Sequence, residues 1–219
     1  MCGIIGIASS RSCVDGLLDG LARLEYRGYD SAGIMVREPD EEIRLLKSAG
    51  KLWGLRECVQ KDRPTGHIGM GHTRWATHGP PTERNAHPHR TGRVVIVHNG
   101  IIDNFLELRE KLEGEGVELK TDTDTEVLGH LIDREIASSD GAIAVGLRRA
   151  LGWARGSYAV VLWSPDDPDA LYFARNESPL VVGLGDKMNV LASDPLALVA
   201  HTKRVVYVED GMYGRLDAN

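Results

Sequence analysis

Cysteine is scarce in this 219-residue chain, basic charge is not in excess, and no long apolar run occurs. Three cysteines, an odd and sparse set, predict no disulfide framework. A net charge of -6, with acidic and basic residues mixed along the chain, argues against a nucleic-acid partner. No segment could form a membrane-spanning helix, and the start lacks the charged and apolar regions of a secretory signal. We therefore expect a cytoplasmic protein with neither a nucleic-acid nor a membrane partner.

The pattern of apolar residues predicts an α+β fold. With 42% hydrophobic and 26% charged residues, the chain is globular, and its length suits one large domain or at most two small ones. Short, often β-branched apolar runs predict strands at 2–8, 94–99, 158–163, 180–184, 190–192 and 205–208. Helical spacing predicts four helices, one starting at Ser12, one near 104–112, one from Thr123 to Ile136 and one near 143–151. Helices over a strand-rich core imply a layered arrangement.

The N-terminal segment places a thiol at an unusual position. Cys2 directly follows the initiator methionine and opens an apolar run, Cys-Gly-Ile-Ile-Gly-Ile. Removal of Met1 is expected before so small a residue, and it would leave a thiol and a free α-amine on one residue. An α-amine has a pKa of about 7.7–8.0, against about 10.4 for lysine, so it can act as a base near neutral pH. The alternative is a buried strand that merely begins at the start codon.

Polar residues cluster where predicted strands end or helices begin, at 25–33, 71–79, 85–89, 98–100 and 121–124. Each cluster alone has an ordinary explanation. Asn99-Gly100 is a common turn signal, and an aspartate in the first turn of a helix is favoured by the helix dipole. The irregular stretch 77–92 is long for a connection, and such loops often carry function. His87 and His89 are the nearest histidine pair, but they lack the partners of a closed zinc site, so we expect no metal.

Six motifs in order give a far more specific signal than any one of them. An N-terminal Cys-Gly-Ile followed by YRGYDSAG, HTRWATHG, NAHPH, HNGII and TDTE resembles the glutaminase domains of glucosamine-6-phosphate synthases, which are class II glutamine amidotransferases. The resemblance runs from Cys2 to about Gly211. Related phosphoribosyl-pyrophosphate amidotransferases and asparagine synthetases share the cysteine and the Asn-Gly pair but differ at 75–78. The resemblance to the glutaminase domains implies a four-layer αββα N-terminal-nucleophile hydrolase with two stacked, mainly antiparallel sheets.

The resemblance also implies a reaction and a catalytic set. Cys2 would attack the side-chain amide of L-glutamine, with its own α-amine as base, and release ammonia from a thioester that water converts to L-glutamate. Asn99, through its side-chain amide, and Gly100, through its backbone N–H, would bind the oxyanion. A glycine suits this task because its backbone can approach the substrate closely. No cofactor is expected.

Substrate recognition is assigned in the same way. Arg74 would bind the α-carboxylate, since a guanidinium offers a planar fork of donors, and Asp124 would bind the α-ammonium. Thr77, His78 and Trp75 would complete the pocket, with Trp75 facing the ammonia exit. Arg27, Asp30 and His87 are expected to support the site. Cys13 and Cys58 do not match the nucleophile.

Three points stay open at the level of sequence. In the family, the ammonia serves a sugar-phosphate isomerase half that converts fructose 6-phosphate to glucosamine 6-phosphate, and residues 1–219 are expected to be the glutaminase domain without it. The chain is then either an excised domain or a stand-alone glutaminase that needs an isomerase subunit as ammonia acceptor. A catalytically dead glutamine sensor is the competing hypothesis. Activity also requires that Met1 be removed.

Overall fold

The computed structural model describes residues 2–219, so Met1 and its predicted removal lie outside the described residues. The strands form two antiparallel sheets. The larger sheet has seven strands in the order β11-β9-β10-β1-β4-β2-β3, so β1 is central and pairs with β10 and β4. Its strands are β1 (Gly3–Ser9), β2 (Ser31–Arg37), β3 (Ile43–Ala49), β4 (Ile68–Arg74), β9 (Val181–Leu184), β10 (Met188–Ala192) and β11 (Arg204–Tyr207).

The smaller sheet has five strands in the order β12-β8-β7-β6-β5. Its longest strand, β6, pairs with β7 from Val95 opposite Trp163 to Ile102 opposite Gly156. The strands are β5 (His89–Thr91), β6 (Val94–Ile102), β7 (Gly156–Trp163), β8 (Leu171–Asn176) and β12 (Tyr213–Leu216). Strand β6 therefore carries the predicted Asn99-Gly100 pair inside a sheet rather than in a turn.

Five α-helices lie within residues 2–219 and cover the outer faces of the two sheets. Helices α1 and α2 pack on the larger sheet, and α4 packs on β5 and β6 of the smaller sheet with α3 and α5 against it. No helix in this part of the chain combines the length and apolarity needed to cross a membrane. The helices are α1 (Val14–Leu24), α2 (Leu52–Asp62), α3 (Phe105–Gly114), α4 (Asp124–Ala137) and α5 (Ile143–Leu151).

The side-chain alternation of the central strands builds the four layers. In β1, Ile5 and Ile7 face α1, whereas Ile4 faces the other sheet. In β6, Val95 and Val97 face the larger sheet, and the neighbouring Val94 and Ile96 face α4. Three apolar cores result, one between the sheets and one under each helical layer. The predicted four-layer arrangement of stacked antiparallel sheets is confirmed.

Several local predictions were wrong. Helix α1 begins at Val14 with Cys13 at its N-cap and has no side-chain cap, because Ser12 reaches only the Val14 N–H, at 3.5 Å. Helix α2 was not predicted from the sequence. It contains Gly54, and its apolar face is weak. The predicted loop 77–92 is shorter than expected, since its last residues form β5.

The start of α4 is held by a buried carboxylate. The Thr123 hydroxyl caps the helix by accepting from the Glu126 N–H at 3.2 Å, as the capping-box pattern predicted. The Glu126 side chain does not return to the Thr123 N–H. It accepts instead from the backbone N–H groups of Lys120 at 2.8 Å and Thr121 at 2.6 Å, and from the Thr121 hydroxyl at 2.8 Å. This carboxylate thus fixes the turn that leads to Asp124.

We predict that Glu126→Ala lowers the free energy of unfolding by about 1–3 kcal/mol for each buried donor that it leaves unpaired. Urea denaturation followed by circular dichroism measures the change. The exposed Glu118, in the same connection, supplies the control, because Glu118→Ala is expected to change stability by less than about 0.5 kcal/mol. Equal stabilities of the two variants would contradict this role for Glu126.

Candidate active site

Cys2 lies at the end of the central strand, where the two sheets and the start of α4 meet. It precedes β1 and is partly exposed. The Trp75 backbone N–H donates to Cys2 Sγ at 3.2 Å, and the thiol points back toward the Trp75 carbonyl at 3.4 Å. Burial raises the pKa of the Cys2 thiol above its ordinary value. The thiol is therefore neutral near neutral pH, and attack on a carbonyl requires a base.

The surrounding histidines are poorly suited to be that base. Burial lowers the pKa of His72 to about 3, places those of His87 and His89 well below their usual range, and also lowers that of His98. No histidine ring within the described chain forms a hydrogen bond with the Cys2 thiol. A lowered pKa makes these four imidazoles weak bases, so they serve as hydrogen-bonding groups.

Two side chains hold the main-chain carbonyl of Cys2. Asn99 Nδ2 donates to it at 3.0 Å, and Arg27 Nε donates at 3.3 Å. Arg27 is fixed in turn by Asp194, at 3.0 Å, and Tyr26 donates to the same carboxylate oxygen at 2.6 Å. Arg27 therefore holds the backbone of Cys2, the predicted nucleophile.

Gly100 follows Asn99 at a position that only glycine accommodates. Its φ is +132°, and a Cβ atom there would lie 2.0 Å from the carbonyl oxygen of Ser157 on β7. Gly100 therefore has no side chain of its own to shield its backbone, and it lines the same cavity as Cys2. The Asn99 amide and the Gly100 N–H lie next to each other along β6, an arrangement that suits the binding of an oxyanion.

Arg74 binds the loop that follows β4. Its guanidinium donates to the carbonyls of His78, Gly79 and Pro80, at 3.2 Å for the last two. Asp30 holds the start of this loop by accepting from the Ala76 N–H, and its other oxygen accepts from Ser31 at 2.9 Å. These contacts hold the loop against the end of β4.

Asp124 is a buried carboxylate at the first position of α4. It accepts from the Ile102 backbone N–H at 3.0 Å. Two imidazole nitrogens lie near the same oxygen, His78 Nδ1 at 3.9 Å and His98 Nδ1 at 4.0 Å. Thr125 links this group to the core, because its hydroxyl lies 2.8 Å from His87 Nε2 and 3.0 Å from His98 Nδ1. The contact with His87 therefore holds Thr125, the residue that follows Asp124.

One small cavity brings most of the predicted residues together. It measures about 20 Å³, room for about one water molecule, so it is too small for an amino acid in this conformation. Its lining residues include Cys2, Arg74, Trp75, Thr77, His78, His87, Gly100 and Asp124. A larger recess of about 300 Å³ adjoins this cavity. Both spaces are lined by Cys2, Trp75, Thr77 and Gly100. Asn99 and Arg27 line this recess.

Trp75 stands at the surface between the two spaces. It is 48% exposed, and its ring packs edge-on against Tyr29 with centroids 5.5 Å apart.

Across residues 2–219, no three histidine, cysteine or acidic side chains are arranged to hold a metal ion.

The sequence reading missed several residues of the site. Thr125 lies within the TDTE region but was given no role, and Asp194 lies 167 residues from its partner Arg27. Asp194 also caps a short 3₁₀ helix by accepting from the Leu196 N–H at 2.9 Å. The Ser-Asp-Pro sequence that surrounds it is a recognisable cap signal, but nothing local connects it with Cys2.

A family model for the glutamine amidotransferase domain matches residues 72–200. The chain belongs to this family. The match confirms the resemblance seen in the motifs, and it spans Arg74, the Asn99-Gly100 pair and Asp124. The N-terminal cysteine precedes the matched segment.

Relatives of this glutamine amidotransferase domain cover nearly the whole chain. It is 52% identical over 218 residues to a glutamine–fructose-6-phosphate aminotransferase (isomerizing) of Thermus thermophilus and 48% identical over 216 residues to the enzyme of that name from Pyrococcus horikoshii. These alignments take in 99% and 98% of the chain but 35% and 36% of the relatives. The chain thus spans about a third of the length of the curated relatives it matches.

Solved structures show the same fold. The glutamine phosphoribosylpyrophosphate amidotransferase of B. subtilis superposes with a TM-score of 0.80 at 24% identity, over all of this chain and 49% of that one. An allosteric regulatory enzyme of purine biosynthesis superposes with a TM-score of 0.82 at 25% identity, with the same coverage. Both likenesses support the two-sheet architecture around the central strand.

Proposed function

We propose that this domain hydrolyses L-glutamine to L-glutamate and ammonia, with Cys2 as the nucleophile. The observation that carries the proposal is the single cavity lined by Cys2, Arg74, Gly100 and Asp124. It combines a thiol, a guanidinium, a buried carboxylate and the backbone of a glycine. These are the groups that an α-amino acid with a reactive side-chain amide requires.

The reaction follows from the placement of these groups. Sγ of Cys2 attacks the amide carbon, and its proton passes through a water molecule to the α-amine of the same residue. The resulting oxyanion is stabilised by Asn99 Nδ2 and the Gly100 N–H. The ammonium group then returns a proton to the departing nitrogen, which leaves as ammonia. Water hydrolyses the γ-glutamyl thioester and regenerates the thiol with release of glutamate.

Recognition of the substrate uses opposite charges at the two ends of the cavity. The guanidinium of Arg74 binds the α-carboxylate, and Asp124 binds the α-ammonium. Movement of the loop after β4 admits glutamine, and its return excludes water from the oxyanion. Thr77 and His78 belong to this loop, so they close over the bound amino acid.

Ammonia leaves by the larger recess, and Trp75 stands at its edge. We propose an acceptor of sugar-phosphate isomerase type, as a domain of the same polypeptide or as a subunit, because the matched relatives are named as fructose-6-phosphate aminotransferases. Residues 1–219 then form the glutaminase domain. A cytoplasmic location is part of this proposal, since all three cysteines are free thiols.

Glutamate release tests the proposed function. The protein is incubated with glutamine after mass spectrometry has shown that its first residue is Cys2, and glutamate and ammonia are measured together. Equal amounts of the two products are expected. Binding of glutamine without turnover would contradict the enzyme and favour a sensor.

Arg74→Lys tests the carboxylate site. We expect the KM for glutamine to rise about 10- to 100-fold with a smaller change in kcat, because a point charge replaces a planar fork and a charge-assisted hydrogen bond of about 1.5–3 kcal/mol is lost. Arg84→Lys is the matched control, since Arg84 lies exposed in the same loop and its guanidinium binds the Lys120 carbonyl. An unchanged KM in Arg74→Lys would rule out the proposed carboxylate contact.

A further inference from the structure

His72 is a fully buried residue of β4 that the proposed reaction does not use. The side chains of Ile68 and Met70 on the same strand enter the core between the sheets, so the alternation directs His72 into that layer too. Asn99 of β6 enters the same layer from the opposite sheet. His72 Nε2 lies 3.0 Å from Asn99 Oδ1 and 3.1 Å from the His98 carbonyl. This contact joins the strand beside the nucleophile to the strand of the oxyanion donors.

The partners of His72 determine where its ring proton lies. Both groups facing Nε2 are oxygens, and a carbonyl only accepts, so Nε2 must carry the hydrogen. Burial lowers the pKa of His72 to about 3, so the ring holds a single proton at neutral pH. The Nδ1 atom is buried and has no hydrogen-bond partner within the described chain. The ring is therefore a neutral donor aimed at Asn99.

This donor decides which way the Asn99 amide points. With Oδ1 on His72, Nδ2 faces Cys2 and donates one hydrogen to the Cys2 carbonyl at 3.0 Å. The second Nδ2 hydrogen has no acceptor among the described residues, and Asn99 lines the larger recess together with Cys2. In the reversed orientation, Asn99 Oδ1 would oppose the Cys2 carbonyl oxygen, and the amide nitrogen would face the N–H of His72. Two acceptors would meet at one end and two donors at the other.

We propose that His72 is a positioning residue for catalysis, which sets the amide orientation of Asn99 so that Nδ2 is presented to the oxyanion. This inference rests on the proposed glutaminase function. It gives the first histidine of the HTRWATHG motif a role through Asn99, without contact with glutamine.

A double-mutant cycle tests the proposal in the N-terminally processed protein. His72→Phe removes the donor and keeps a ring in the core. We expect its kcat to fall at least about 10-fold with little change in KM, up to the ~10²–10³ that the loss of an oxyanion donor costs. In an Asn99→Ala background, the same substitution is expected to change kcat less than about 3-fold, because the group it positions is already gone.

His89→Phe is the matched control for the cycle. His89 is also buried, and its ring contacts His87, but its hydrogen bond goes to Thr123 at 3.2 Å. Its effect on kcat is expected to add to that of Asn99→Ala. A full His72→Phe effect in the Asn99→Ala background would overturn the proposal, whereas failure of the wild-type protein to release glutamate would instead overturn the proposed function.

The tautomer of His72 gives a second test that needs neither turnover nor a folded variant. Long-range ¹H–¹⁵N spectra of the wild-type protein report which ring nitrogen is protonated. We expect protonation at Nε2 throughout pH 6–8, within the range where a group of pKa about 3 stays neutral. A proton on Nδ1 would leave Nε2 without a hydrogen for Asn99 and would overturn the proposal.

Discussion

Cys2→Ala is expected to abolish glutamate release while glutamine still binds. Loss of a covalent nucleophile costs on the order of 10⁶ in kcat in a hydrolase. The proposed carboxylate and ammonium sites use Arg74 and Asp124, and within the described residues neither side chain forms a hydrogen bond with the Cys2 thiol. Isothermal titration with glutamine and a glutamate assay measure the two properties on one preparation.

The other cysteines provide the comparison for this variant. Cys58 is a partly exposed thiol on α2 whose sulfur lies 3.9 Å from the Lys47 carbonyl, and Cys58→Ala is expected to retain full turnover. Cys13 is buried, and burial raises the pKa of its thiol to about 12, so it is inert near neutral pH. Glutamate release that survives in Cys2→Ala would place the nucleophile elsewhere.

Retention of a residue before Cys2 is expected to lower kcat by about 10²–10⁴, the range that a positioned general base contributes. An amide nitrogen cannot accept the thiol proton, and no histidine that lines the cavity forms a hydrogen bond with Sγ within the described residues. A protein carrying a leader that a site-specific protease removes directly before Cys2 allows the same polypeptide to be assayed before and after cleavage. Cleavage should raise kcat by about 10²–10⁴.

Two comparisons make the leader experiment decisive. The same leader on Cys2→Ala must give no activity in either form, which excludes a contaminating glutaminase. Glutamine binding before cleavage shows that the leader does not simply block the cavity. Equal turnover with and without the leader would show that the α-amine of Cys2 is not the base.

Continuous runs of apolar residues made part of the fold predictable. Strands β1 and β6 carry unbroken apolar runs because both of their faces are buried, and both were predicted from those runs. Strand β2 was missed because its first residues belong to a polar motif, and β3 because it is a half-buried edge strand. The stacking of the sheets came from the family resemblance, since strand periodicity does not specify which faces meet.

The site was predictable to the extent that its residues lie in motifs. Arg74, Asn99-Gly100 and Asp124 each belong to one. The structure brings Arg74, Gly100 and Asp124 around one cavity and places Asn99 in the adjoining recess. The contacts of Arg27 with Asp194 and of His72 with Asn99 could not be read from the sequence. Each joins distant segments through a geometry that exists only once the sheets have stacked.

Rapid acid quenching during turnover, followed by intact mass measurement and peptide mapping, shows directly whether Cys2 is the nucleophile. We expect a γ-glutamyl group on the sulfur of Cys2, in an N-terminal peptide that lacks Met1. A γ-glutamyl group on any other residue, or turnover by a protein whose N-terminal peptide retains Met1, would contradict the assignment of Cys2 as the nucleophile.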